Sequence, residues 1–104
     1  MVQKSEFGKR NMELDRIFAV LANRHKRAVI LYIGDKGKVK GGYESFTKPL
    51  CEKYHELGLK PYTIAPRLSV LRNTDHLVEQ DGEGYWVLTE LGKIAYGILK
   101  GYLG

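Results

Sequence analysis

At 104 residues, 43% hydrophobic and 28% charged, the chain has the size and balance of one ordinary globular domain around a single core. No apolar run approaches the roughly 20 residues that cross a bilayer, the start MVQKSEFGKRNMELD lacks the apolar stretch of a secretory signal, and one cysteine cannot form an internal disulfide. The setting expected is therefore cytoplasmic and reducing, and the excess of 17 basic over 12 acidic residues, +5 at pH 7, suits a polyanionic partner.

In chain order, residues 1–12 are polar and read as a flexible N-terminal segment of the single domain 1–104. Leu14, Ile17, Phe18 and Leu21 then repeat at i, i+3, i+4 and i+7, the stripe of an amphipathic first helix. Asn23 is placed to cap a second helix, Arg24 to Ile33, whose apolar run from Ala28 to Ile33 calls for heavy burial. Gly34 is expected to end it, leaving 34–42 as a loop. Arg24, Lys26, Arg27, Lys36, Lys38 and Lys40 lie in this region, opposed only by Asp35. Such a stripe binds phosphate by releasing counterions. A merely solvated face is the simpler alternative.

The third helix is expected to be capped by Thr47, with Pro49 in its first turn and Gly58 after its last apolar residue. Phe46 and Cys51 would form its hydrophobic staple, and Leu50, Tyr54 and Leu57 its buried stripe. Gly58-Leu59-Lys60 is a short turn into a fourth helix, read over 62–74, in which Ile64, Leu68 and Leu71 form one apolar line. A start near Thr63 keeps Pro66 in the first turn; a start at Pro61 would put Pro66 where an interior hydrogen bond is lost. Two β-patterned segments follow, Leu77 to Gln80 and Tyr85 to Leu88, joined by Asp81-Gly82-Glu83-Gly84. Thr89 is a possible cap for a last helix. There Leu91, Ala95, Ile98 and Tyr102 are spaced like a helix–helix seam. Gly92, Gly97 and Gly101 weaken that helix by roughly 1 kcal/mol each relative to Ala, so it must be packed, either on a second copy or on its own domain.

This order resembles the winged helix-turn-helix regulators, above all the ArsR-like group. The resemblance is carried by Leu21 to Leu31 (LANRHKRAVIL), by Leu57-Gly58-Leu59 followed by Thr63 to Leu71 (TIAPRLSVL), and by His76-Leu77-Val78 with Gly84 to Thr89 (GYWVLT). It implies an α+β, mostly helical fold with a two-stranded wing and a C-terminal dimerisation helix. The function implied is that of a homodimeric repressor setting one helix per subunit into successive major grooves of double-stranded DNA, among the nucleoid-associated proteins of the cytoplasm. On that reading Tyr62, Thr63, Pro66, Arg67, Ser69, Val70 and Asn73 face the duplex. Arg67 is suited to bidentate contact with guanine. Arg24, Lys26, Arg27, Lys48 and Lys60, with the loop lysines, would hold phosphates, and Leu91, Ala95, Ile98 and Tyr102 would join the subunits.

Two features depart from the family pattern. The hairpin 79–85 carries three acids and no base, so its tip is expected to be repelled by DNA. The Cys-x-Cys pair of the family's metal sensors is missing, since Pro49 stands at the first position and Cys51 near the second. Cys51 and His55, a helical turn apart, are the only spacing reminiscent of a metal site, and no metal or other cofactor is expected. No phosphate-binding glycine loop, histidine-rich pattern or Gly-x-Ser-x-Gly elbow argues for an enzyme. The main rival reading is a winged helix used as a protein–protein module in a transcription or replication assembly. A lesser one is binding to single strands or structured RNA through Tyr43, Tyr62 and Tyr85.

Overall fold

In the computed structural model, which describes the backbone of residues 2–103 and the side chains of residues 12–101, helix α1 covers Val2–Leu21. It takes in most of the segment expected to be flexible; the side chains of that segment lie outside the described residues. The stripe expected on α1 is partly corrected. Ile17 and Val20 are buried, whereas Leu14 and Phe18 are 41% and 56% exposed. Helix α1 packs chiefly on α2 and α5, so a narrow line of contact suffices, and Leu14 and Phe18 face outward.

Helix α2 (Arg24–Lys36) starts where Asn23 predicts, with the Asn23 side chain accepting from the Lys26 backbone N–H at 3.0 Å. It does not stop at Gly34. A Cβ on Gly34 would come within 2.2 Å of the Tyr96 ring, so this glycine lets α2 and α5 (Glu90–Leu103) approach closely. The terminator is Gly37, at φ 82°, a backbone conformation that glycine adopts without strain.

The expected loop 34–42 contains a strand, β1 (Val39–Lys40). It pairs antiparallel with β3 (Tyr85–Leu88), Val39 opposite Trp86 and Lys40 opposite Tyr85. β2 (Val78–Gln80) pairs with the other edge of β3, giving the order β1-β3-β2. The hairpin β2–β3 falls where the sequence puts it, and Trp86 and Leu88 point inward as strand alternation requires.

Thr47 caps nothing. It closes a π-helical turn, Tyr43–Thr47, that runs straight into α3 (Lys48–Lys53). Phe46 and Leu50 are buried there, and Cys51 packs against the core as half of the expected staple. The helix expected to reach Gly58 thus ends at Lys53, with Tyr54 and Leu57 half-buried beyond it; a 3₁₀ turn, His55–Leu57, follows, and it is this turn that Gly58 ends in the left-handed region. Helix α4 runs Pro61–Asn73. The preferred start near Thr63 is thus corrected: Pro61 takes the first position, and Pro66 lies inside the helix. Pro66 and Tyr62 are both exposed, so the Tyr62 carbonyl that loses its donor faces water.

Helix α5 is capped by Thr89, whose Oγ1 accepts from the Gly92 N–H at 3.0 Å and donates to the His76 carbonyl at 2.7 Å. Gly92 is no weakness. A Cβ there would sit 2.0 Å from the Leu77 carbonyl oxygen, so the helix can lie on β2 only because position 92 has no side chain. Around one core are gathered Ile17 and Val20 from α1, Val29, Ile30 and Ile33 from α2, Phe46, Leu50, Ile64 and Leu71, the inward sheet residues, and Ala95 and Leu99 from α5. The fold is α+β and mostly helical, with an antiparallel three-stranded sheet, and is compatible with a winged-helix arrangement. Among the described residues no helix is long and apolar enough to cross a membrane.

Candidate nucleic-acid interface

The helix expected to face DNA is held by the three contacts its sequence announces. Ile64, Leu68 and Leu71 are buried. Lys60 is extended ahead of Pro61, and the Thr63 hydroxyl donates back to the Lys60 carbonyl at 2.7 Å, tying down the first turn. With that stripe fixed to the core, Tyr62, Pro66, Ser69, Val70 and Asn73 are exposed, and Thr63 and Arg67 are half-buried at the flank. Asn73 donates to the Ser69 hydroxyl at 3.2 Å and accepts from Arg72 Nε at 3.2 Å. α4 contains two arginines and no acid. Arg67 Nε is buried and has no hydrogen-bond partner among the described residues, an arrangement that costs free energy until an acceptor arrives. Arg72, overlooked in the sequence, lies with its guanidinium 5.6 Å from the Trp86 ring centroid. The signal for it was a second arginine on an acid-free helix.

The basic residues expected to clamp phosphate divide sharply. Arg24 and Lys60 are exposed, and Lys48 is exposed with only a long 3.7 Å approach to Glu44. Lys26 Nζ lies 2.9 Å from Asp75 Oδ2, with the two side chains 17% and 12% exposed, so it joins α2 to the end of α4, while it also borders an open depression with Tyr62, Thr63, Pro66 and Arg67. The Arg27 guanidinium donates to the Leu21 carbonyl at the end of α1. Both are half-buried because α2 lies between α1 and α4, and a half-buried cation needs an acceptor.

The hairpin β2–β3 gains from its neighbour the bases it lacks. Sheet pairing carries Lys38 and Lys40 over Tyr85, 4.5 and 5.0 Å from its ring centroid, and Lys40 Nζ donates to the Glu83 carbonyl at 2.6 Å. One of the three acids is turned to structural use. Asp81 Oδ1 accepts from the backbone N–H groups of Glu83 and Tyr85, each at 2.9 Å. The Tyr85 N–H bond above all, then the Glu83 bond and the charges of Lys38 and Lys40, hold its carboxyl below the ordinary value. The hairpin itself remains without a base, and it is the third strand that brings Lys38 and Lys40 beside Tyr85. The alternation Lys38-Val39-Lys40 was the available sign.

The other expected sites fare unevenly. Ala95 is fully buried against its own core, so it is not free to meet a second copy, whereas Leu91 is half-buried against the same core. Ile98 is 37% exposed, beside Ile94 at 52% one turn earlier. The side chain of Tyr102 lies outside the described residues. Cys51 is half-buried in α3, its thiol pushed up by burial. His55 stands beyond the end of that helix in the 3₁₀ turn, within 3.2 Å of the Glu52 carbonyl. Among the described residues no three His, Cys, Asp or Glu side chains converge as metal ligands. No protein-family model, curated protein or solved structure matches the chain.

Proposed function

We propose that the chain is a winged-helix, sequence-specific DNA-binding regulator of the ArsR-like kind, a homodimeric repressor that reads the major groove with α4. The observation that carries this reading is the outer face of α4. It is acid-free, fixed from behind by Ile64, Leu68 and Leu71, and flanked by Arg67 with an unpaired buried Nε. Lys38 and Lys40 on the wing, with the exposed Arg24 and Lys60, supply phosphate contacts to either side. Dimerisation draws on apolar side chains left outside on the two helices that pack together, Leu14 and Phe18 of α1 with Ile94 and Ile98 of α5. A two-fold dimer would present its α4 helices one duplex turn, about 34–36 Å, apart.

The second reading, a protein–protein module, is favoured by Tyr62 and Val70, 79% and 39% exposed on the same face. Selection from random duplexes separates the two. DNA recognition predicts an enriched palindrome and an Arg67→Ala loss of about 1–3 kcal/mol confined to one position of each half-site. If no palindrome emerges, or Arg67→Ala leaves affinity and preference unchanged, the DNA reading fails. Sedimentation tests the dimer. Ile94→Lys with Ile98→Lys should yield a monomer, and a wild-type monomer at high micromolar concentration would remove the two-fold model.

A further inference from the structure

Between α4 and the sheet lies a cleft of about 700 Å³, within the range of small-molecule sites. Phe46 and Trp86, 1% and 8% exposed, form its floor, and Tyr43 and Tyr62, 55% and 79% exposed, stand at its rim. Lys40 and Gln80 supply polar groups, and no Asp or Glu lines it. Lys40 has a carbonyl and an aromatic face as neighbours and no ion pair with a carboxylate among the described residues; Asp81, which feels its charge, does not line the cleft. The Trp86 indole N–H makes no hydrogen bond among the described residues. Gly41 permits the backbone of the β1 end to pass over it: a Cβ there would lie 3.2 Å from Trp86 Nε1. A donor on a nearly buried ring, a single cation with no acid in the lining and four aromatic side chains define one kind of guest. It is flat and aromatic and it carries a negative charge.

We propose that this cleft is a binding site for a small aromatic carboxylate, with the ring held among Tyr43, Tyr62 and Trp86 and the carboxylate toward Lys40. Aromatic faces supply stacking area, and the ammonium supplies a charge-assisted hydrogen bond that a neutral analogue cannot accept as strongly. The inference goes beyond the DNA reading and does not depend on it, because the cleft is defined by side chains of the free protein. A ligand seated there touches both α4 and the wing, so it would act on whatever partner those elements meet.

Trp86 is the only tryptophan, so a nitrogen–proton correlation spectrum of the full chain reports the cleft through one indole resonance. The probes are 1-naphthoate, the neutral alcohol 1-naphthalenemethanol, and the non-aromatic anion cyclohexanecarboxylate. Titration with 1-naphthoate should move the indole resonance saturably, with about ten-fold weaker binding for each of the other two. Lys40→Met should weaken 1-naphthoate by a similar factor and leave the alcohol unchanged. Ala65→Phe, which fills the cleft from the exposed side of α4, should abolish the shift. Both substitutions are at exposed positions, and an otherwise unchanged spectrum verifies folding in the same experiment. An indole resonance unmoved at millimolar 1-naphthoate overturns the proposal, as does equal binding of the acid and the alcohol. So does an Ala65→Phe protein, folded by its spectrum, that still binds.

Discussion

Two basic stretches that look alike in the chain, the start of α2 and the strand β1, have opposite fates in the fold. Lys26 and Arg27 are drawn inward, one to Asp75 and the other to the end of α1. Lys38 and Lys40 stay outside, leaning on Tyr85. The same charges therefore serve cohesion in one place and stay at the surface in the other. What separates them is whether the backbone carrying them is covered on both flanks. α2 lies between α1 and α4, whereas β1 is the edge of a three-stranded sheet.

The largest effect that would break this contrast is on stability. Lys26→Met should destabilise the protein by about 2 kcal/mol in chemical denaturation, because Asp75 is left mostly buried without its cation. The double variant Lys26→Met, Asp75→Leu should recover most of that loss, since removing both charges leaves nothing unpaired. A single variant as stable as the wild type would show Lys26 to be as free as the β1 lysines. On the other side, Lys38→Ala with Lys40→Ala should alter stability by less than about 0.5 kcal/mol. On the DNA reading, that pair should lower the log–log salt slope of duplex binding by about 2. If the slope does not change, the wing lysines do not touch phosphate.

The smallest effect concerns a cluster between these extremes. Asp35 accepts from the Tyr96 hydroxyl at 2.5 Å and has Lys100 and Lys53 at 3.4 and 3.5 Å. The Tyr96 hydrogen bond first, then Lys100 and Lys53, hold its carboxyl below the ordinary 3.8. A lowered folded-state value means the contribution is complete above the unfolded value and fades as pH falls through the folded one. Asp35→Asn should therefore lower stability slightly at neutral pH, where the contribution is complete, and flatten its loss below about pH 3.8, so that the two proteins converge in acid. An acid limb identical in the two proteins would show that this cluster contributes nothing.

Much of α4 was legible because its pattern is local. The three buried residues of the helix repeat with its own period, and fixing that face identifies Tyr62, Pro66, Ser69, Val70 and Asn73 as outward without any tertiary knowledge. The Asn23 and Thr89 caps and the β2–β3 hairpin were legible for the same reason. β1 was not, because two residues are too few for a period and its strand character comes from pairing with a distant strand, β3 (Val39 opposite Trp86). Helix α5 misled differently. The spacing of Leu91 and Ala95 suits a seam with any neighbour, and the neighbour turned out to be the domain's own core.

By itself the sequence settled the order of the helices, which face of α4 turns inward and where the hairpin bends, since each depends on residues within a few positions of one another. Only the tertiary structure decided which cations are spent on holding the molecule together, that Gly34 and Gly92 are points of contact, and that a third strand brings lysines to an acidic turn. Those outcomes depend on which distant surfaces meet, because burial and an available acceptor determine whether a charge is held inside or left to solvent.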